Sequence, residues 1–361
     1  MINRRNFIAG TSAALLATQA LSSTALAQSL SGSTRDALVF DAMGEIRVNY
    51  SRALIEAIRD SGLNAITVTL TDPKVYEQQA YNEAKAAVAE YDRFLAEHPD
   101  LLVKATSAAD IERARGQNRI AVFYLFQNST QFGRDLSRVD EFYRLGTRSA
   151  QLTYNYQNWA GAGCKETRGS GVTRFGRELI GEMNRLGMLI DLSHANESTM
   201  LDAINVSSAP VVISHTACLA VYDNVRNTSD TALKALADRD GVVGICQIRP
   251  FITDAGPDAA LPAYFEHIDH AVNVAGVEHV AIGSDRDHRV IEMSDAYLAE
   301  LAREEGENFD LKKWPLYIDQ LNGPRRMEVI WDGLRKRRYA TADIDKIMGG
   351  NMQRLYQGVI G

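Results

Sequence analysis

Short apolar, β-branched runs recur along the chain, each followed by a turn and then by a stretch whose apolar residues return at helical spacing. Eight such runs read as strands: Leu38–Phe40, Ala65–Thr69, Ile120–Tyr124, Ala150–Thr153, Met188–Asp191, Val211–Ser214, Val242–Ile245 and His279–Ile282. The stretches between them predict helices over Ser51–Ser61, Asn82–His98, Arg174–Leu186, Thr231–Asp238 and Tyr264–Val274, with Gly62, Gly187 and Gly276 as stops. Continuously apolar strands alternating with amphipathic helices indicate a parallel sheet covered on its outer side. Eight of them predict a closed α/β barrel of the (β/α)8 or TIM type. An open doubly wound sheet is the competing architecture, and it loses because no G-x-G-x-x-G follows an early strand and no phosphate-binding P-loop occurs.

The first 27 residues stand outside this pattern. Asn3-Arg4-Arg5-Asn6-Phe7-Ile8 is a twin-arginine start, the run from Phe7 to Leu21 is moderately apolar, and Ala25-Leu26-Ala27 offers a small-x-small cleavage site. The run is too short and too polar for a hydrocarbon core of about 30 Å. Residues 1–27 are therefore expected to be a twin-arginine signal peptide, residues 28–361 a single barrel domain, and the location the periplasm or another exported compartment. Proteins taking that route travel folded, often with a metal loaded. No other stretch reaches 18 apolar residues, so stable membrane insertion after cleavage is not expected.

Composition narrows the function classes. With 45% hydrophobic and 24% charged residues the 361-residue chain is an ordinary globular protein, which excludes disorder and small disulfide scaffolds. Its net charge is −7, and losing Arg4 and Arg5 with no acid would take it to −9. No basic cluster compensates, so nucleic acid is not expected as a partner. Cys164, Cys218 and Cys246 form no C-x-x-C pair, which leaves buried thiols or one disulfide.

A barrel builds its site from the polar residues at the C-terminal ends of its strands. Those positions hold Asp41, Met43 and Glu45; Thr71 and Asp72; Gln127 and Asn128; Tyr154 and Asn155; His194; His215; Gln247; and Asp285 with Asp287. A lone histidine at a strand end reads as a structural hydrogen bond. Two on successive strands, His194 and His215, with Gly-Ser-Asp at the eighth, point instead to one divalent ion bound at about 2.0–2.2 Å per ligand or to a catalytic cluster. His98, His267, His270, His279 and His288 lack such placement and read for the most part as structural or solvated.

Several segments carry a family resemblance. Phe175-Gly176, Glu182 to Met188, Ile190-Asp191-Leu192-Ser193-His194, Ser214-His215-Thr216, Val225-Arg226-Asn227, Leu145-Gly146-x-Arg148, Leu152-Thr153, Ile282-Gly283-Ser284-Asp285 and Met348-Gly349-Gly350-Asn351-x-x-Arg354 together resemble the renal (membrane) dipeptidase family of zinc metallopeptidases over about residues 38 to 354. The resemblance implies a metal-dependent hydrolase barrel, with His194 and His215 as ligands of one zinc, Arg226 binding the substrate carboxylate and Asp285 handling the proton. Departures fall where the family binds its other ion. Its opening Asp-Gly-His-Asn-Asp is here Asp41-Ala42-Met43-Gly44-Glu45, its bridging Glu falls at Gln127, and a substrate-contacting His becomes Tyr154.

The reading that follows is a dipeptidase-like metallohydrolase that cleaves an amide bond in a dipeptide or small peptide-derived substrate with a free carboxylate. It uses one ion, zinc by its imidazole ligands. Metal candidates are His194, His215, Glu45 and Gln127, with Asp285 also able to ligate; catalytic candidates are Asp285, Asp287 and Tyr154; substrate candidates are Arg226, Asn227 and Tyr154. Two alternatives remain open: non-hydrolytic chemistry on a peptide-derived metabolite, with Tyr154 and Glu45 as acid and base, and a catalytically silent binding protein. The Asp285–Arg289 and Arg335–Arg338 charge runs read as solvated, Asp285 excepted. The stretch from Met293 to Tyr339, with Trp314 and Trp331, exceeds a short loop and reads as a lid or a subunit contact, so a homodimer is left open.

Overall fold

A computed structural model describes residues 37–166, 170–305 and 315–361. The signal-peptide expectation and Trp314 lie outside the described residues. Nine parallel strands are present among them: β1 (Phe40–Gly44), β2 (Ala65–Thr69), β3 (Leu102–Lys104), β4 (Ile120–Phe126), β5 (Thr147–Gln151), β6 (Leu189–Asp191), β7 (Val212–Thr216), β8 (Val242–Ile245) and β9 (Val280–Ile282). Eight of them close a ring in the order β1-β2-β4-β5-β6-β7-β8-β9, with β9 returning to β1 through Asp41 and Ile282. Each of the eight expected runs lies in this ring, displaced by a few residues at some ends. The ninth, β3, is absent from the sequence-based expectation; it pairs only with Ile120 to Val122 at the start of β4. Three residues, one of them Lys104, are too few to show a period of two.

Alternation along the strands divides the core. Phe40, Ala65, Ala121, Phe123, Leu189, Val212, Val242 and Ala281 form one buried cluster, while neighbours such as Val39, Val122, Ile190, Ile213, Val243 and Val280 pack in a larger cluster with the surrounding helices. Met352, Leu355 and Tyr356, from the C-terminal helix Asn351–Val359, join the smaller cluster. The Tyr356 ring lies 5.0 Å from that of Phe40 and 4.7 Å from that of Phe123, and its hydroxyl bonds to Thr67 Oγ1 at 2.7 Å. One end of the barrel is thus plugged, and the polar residues sit at the other.

The helices are delimited by ordinary capping chemistry. Ser51, Thr173 and Ser229 accept a backbone N–H from the first turn of helices Arg52–Asp60, Arg174–Leu186 and Asp230–Ala237, and Gly187 ends the second of these at φ 74°. Two helices begin earlier than the periodicity suggests. Glu77–Glu97 takes in five more residues at its start, and Pro257–Ala275 continues through Pro262, with Pro257 in its first turn. The segment after β9 contains helices Asp295–Glu305 and Arg326–Lys336, and Ile318, Leu321, Met327, Ile330 and Trp331 are buried, so this part belongs to the core. All three cysteines are free, with Cys218 and Cys246 buried. No described helix is long and apolar enough to cross a membrane.

Candidate functional site

The ends of β5, β6 and β7 bring two imidazoles together. His194 follows β6 with φ 65°, a left-handed backbone that is costly for a side chain of its size. His215 lies in β7, and the two ring centroids are 5.1 Å apart. Tyr154, after β5, lays its ring against His194 at 4.1 Å and an interplanar angle of 31°. Both histidines are buried. Loss of hydration, and after it the charge of Arg226, hold both rings well below the usual histidine range, so they are neutral.

Hydrogen bonds fix the tautomer of each ring. Asp191 accepts from Ser193 N and Oγ at 2.9 and 2.8 Å, and from Ser214 N and Oγ at 3.1 and 2.5 Å. With its proton directed to Asp191, Ser214 Oγ is the acceptor for His215 Nδ1–H at 2.8 Å. His194 Nδ1 donates to Asn155 Oδ1 at 2.8 Å. Each ring therefore carries its lone pair on Nε2, and His215 Nε2 is buried with no partner. A neutral imidazole anchored through Nδ1 and open at Nε2 is arranged as metal-binding histidines are.

Arg226 lies behind this pair. It is 3% exposed, its Nη2 donates to the His215 carbonyl at 3.0 Å, and its Nε and Nη1 have no partner. A buried guanidinium with two open donors is costly unless an anion completes it. Asn227, by contrast, braces the loop that carries Arg226, its Nδ2 donating to the carbonyls of Tyr222 at 2.8 Å and Phe251 at 2.9 Å. Asp285, after β9, has φ 51° and makes no ion pair with a described residue. Burial, reinforced by the Glu45 and Asp41 carboxylates and opposed by Arg226 and Arg286, pushes its carboxyl up to about 7.

Around β1 the polar residues are occupied with one another. Glu45 pairs with Arg47 Nη2 at 2.5 Å. Asp287 accepts from Arg47 Nε at 3.0 Å and from the Tyr50 hydroxyl, and pairs with Arg289 Nε at 3.1 Å. Asp41 accepts from Ser284 N at 2.8 Å and Oγ at 2.6 Å and meets His288 Nε2 at 3.2 Å. Gln127 Nε2 donates to Met43 Sδ at 3.8 Å. Asp287 is thus saturated by cations and a hydroxyl, and it is Asp285 that stays available for proton transfer. His267, His270, His279 and His288 all make structural hydrogen bonds.

A divalent ion fits one half of this arrangement. His194 and His215 offer neutral nitrogens at the right tautomer. On the other half a buried thioether, an amide directed at it and a carboxylate paired to Arg47 offer no anionic bridge between two cations. Among the described residues no three His, Cys, Asp or Glu side chains converge as a metal-binding group. A cleft of about 330 Å³, lined by Tyr76, Glu77, Thr130, Gln157, Asn158 and Trp159, lies to the side and includes none of the four residues His194, His215, Arg226 and Asp285.

Comparisons with known proteins identify the family. The profile of the membrane dipeptidases, peptidase family M19, matches residues 26–303. The chain belongs to the membrane dipeptidase family. A stretch of 192 residues is 38% identical to an uncharacterized dipeptidase of Schizosaccharomyces pombe, covering 51% of this chain and 46% of that protein. Another of 200 residues is 34% identical to dipeptidase aclJ of Aspergillus oryzae, covering 54% of this chain and 47% of that one. The chain spans about half the length of the curated relatives it matches. Among solved structures, an amidohydrolase from Pseudomonas aeruginosa superposes with a TM-score of 0.82 and 28% identity, covering 92% of this chain and 99% of its own.

Sequence reasoning names His194, His215, Arg226 and Asp285; the structure sets the two imidazoles side by side, bonds Arg226 to the His215 carbonyl, and brings the charge of Arg226 to bear on Asp285. Sequence reasoning assigns no roles to Asn155, to the Asp191–Ser214 relay or to Arg47, Tyr50 and Arg286. The signal for the relay is present as an Asp-x-Ser-His after one strand and a Ser-His in the next, but the link between them is made only by strand pairing.

Proposed function

We propose that this member of the dipeptidase family hydrolyses the amide bond of a dipeptide, or of a small peptide-derived substrate, that carries a free carboxylate. The observation that carries the reading is Arg226, buried beside two neutral imidazoles with two unsatisfied donors. A planar fork of this kind suits a carboxylate held bidentately and fixes the substrate's direction relative to His215. His194 and His215 would hold a single divalent ion, zinc by ligand type, whose chemistry is to polarise the carbonyl and acidify a water. Asp285, with a carboxyl near neutrality, takes the proton of the attacking water and hands it to the leaving amine. Tyr154 covers one face of His194 and keeps that ring from turning. A carboxylate-binding protein without turnover is the second reading, favoured by Met43 and Gln127. The Asn3-Arg4-Arg5 start supports work in an exported compartment such as the periplasm.

Arg226→Lys tests the substrate class. Lys keeps the charge but loses the fork, so KM for dipeptides with a free C-terminal carboxylate should rise about tenfold or more, while their amidated counterparts, already poor, change little. Equal effects on both, or a large fall in thermal stability, would return Arg226 to a structural role.

A further inference from the structure

The large apolar side chains left exposed among the described residues are Tyr76, Tyr156, Trp159, Leu219, Val225 and Val290. All six stand in loops that follow the C-terminal end of a strand, so they ring the mouth of the barrel. Two of them, Tyr76 at 39% and Trp159 at 46% exposure, wall the cleft of about 330 Å³, with Glu77, Thr130, Gln157 and Asn158 completing it. That volume lies within the usual range of ligand pockets, about 300–1,000 Å³.

The polar lining of the cleft is unequally engaged. Asn158 Nδ2 donates to Asn128 Oδ1 and to the Leu152 carbonyl, both at 2.8 Å, and its Oδ1 accepts from Ala160 N at 2.8 Å and Gly161 N at 3.2 Å. Thr130 Oγ1 donates to the Val75 carbonyl at 2.9 Å. These bonds tie the loops after β2, β4 and β5 to one another, so the cleft is formed before anything enters it. Glu77 is different. Its Oε1 accepts from Trp159 Nε1 at 3.3 Å, but its carboxylate makes no ion pair with a described residue. It stands at the first position of helix Glu77–Glu97 with φ 57°, in the left-handed region that favours glycine. The guanidinium of Arg134 lies 5.1 Å from the centroid of the Trp159 ring and does not reach Glu77. An indole that accepts a cation on its face, beside a carboxylate with no cation of its own, suits an alkyl stem ending in a positive charge.

Contacts run in one order from Arg226 to this cleft. Arg226 bonds to the His215 carbonyl, the His215 ring lies 5.1 Å from that of His194, and His194 Nδ1 bonds to Asn155. Gln157 is two residues further along the same loop, so its Cα stands within about 7 Å of that of Asn155. We infer that the cleft is a subsite for a basic side chain, and that the preferred substrate carries lysine or arginine on the amino side of the scissile amide while its terminal carboxylate sits on Arg226. The inference rests on the proposed carboxylate-binding role of Arg226 and adds the side-chain class of the substrate. Norleucine, which has an unbranched stem like that of lysine but no ammonium, would cover the same aromatic wall and leave Glu77 unpaired.

Equilibrium titration of the purified chain, supplied with zinc and separately treated with chelator, tests this with Lys-Ala, norleucyl-alanine and Ala-Ala, and with Ala-Lys and alanyl-norleucine for the reverse order. Lys-Ala should bind about tenfold more tightly than norleucyl-alanine, while the two reversed peptides should bind alike. Glu77→Gln should cut that preference to about threefold or less with affinity for Ala-Ala unchanged, and Trp159→Ala should bring both Lys-Ala and norleucyl-alanine toward Ala-Ala. Equal binding of Lys-Ala and norleucyl-alanine by the wild type, an equal preference in the reversed pair, or a full preference surviving in Glu77→Gln would overturn the inference. A preference for Lys-Ala without cleavage of any peptide in the zinc-supplied sample would count against hydrolysis and leave the subsite standing. Cleavage without the preference would strike the subsite and leave hydrolysis standing.

Discussion

His194 and His215 owe their chemistry to what holds their far nitrogens. Asn155 and the Ser214–Asp191 pair accept from Nδ1, and burial forbids a second proton, so each ring presents a lone pair at Nε2. Ser214→Ala removes the acceptor for His215 without touching the ring. Wild-type protein should keep one zinc per chain after exhaustive dialysis, and the variant should bind it roughly 10–100-fold more weakly. Two zinc ions per wild-type chain would mean that Glu45 and Gln127 serve as ligands after all. The histidines are legible in the sequence because each follows an apolar strand. Their partners are not, since Asp191 and Ser214 come from different strands and meet only through the β6–β7 pairing. Met43 and Gln127 show the same limit: in sequence each reads as the loss of a ligand, and the structure adds that the amide donates to the sulfur.

Among the secondary-structure elements, strand placement is legible wherever a run is long enough to be apolar on both faces. β4, buried from Ile120 to Phe126, is the clearest case, and β3 is the counterexample. Helix starts are harder: the helix expected from Tyr264 begins at Pro257 and runs through Pro262, a residue type that ordinarily interrupts a helix. The role of the C-terminal helix as a plug is hidden for another reason: contacts between residues far apart in the chain, such as Tyr356 with Phe40, leave no local pattern. The site itself depends on closeness between strands. A Cβ at Gly244 or Gly283 would overlap the carbonyl oxygen of Ser214, so both glycines let β8 and β9 approach the residue that anchors His215. Gly283→Ala should destabilise the fold by about 1–3 kcal/mol in chemical denaturation. Unchanged stability with normal zinc binding would show that β7 can yield at this point.

The closed barrel as a whole gives its two ends different work. Tyr356, Phe40 and Phe123 seal one end with apolar packing, and the polar side chains gather at the other. That division is readable from the order of strands and the residues after each one. The charge balance of the open end is not, because which arginine pairs with which carboxylate depends on loops after β1 and β9 that meet in space. On the proposed reading, the open end hydrolyses an amide next to a carboxylate-binding arginine, using the His194–His215 pair. Hydrolysis of a panel of free-carboxylate dipeptides, acidic ones included, by zinc-supplied wild type and His215→Ala decides whether it does. The wild type should cleave at least one of them, and the variant should keep its fold while losing more than about 100-fold in kcat/KM, beyond what the loss of a supporting hydrogen bond costs. No cleavage by the wild type with zinc, manganese or cobalt supplied, or equal rates for the two proteins, would contradict hydrolysis at this pair.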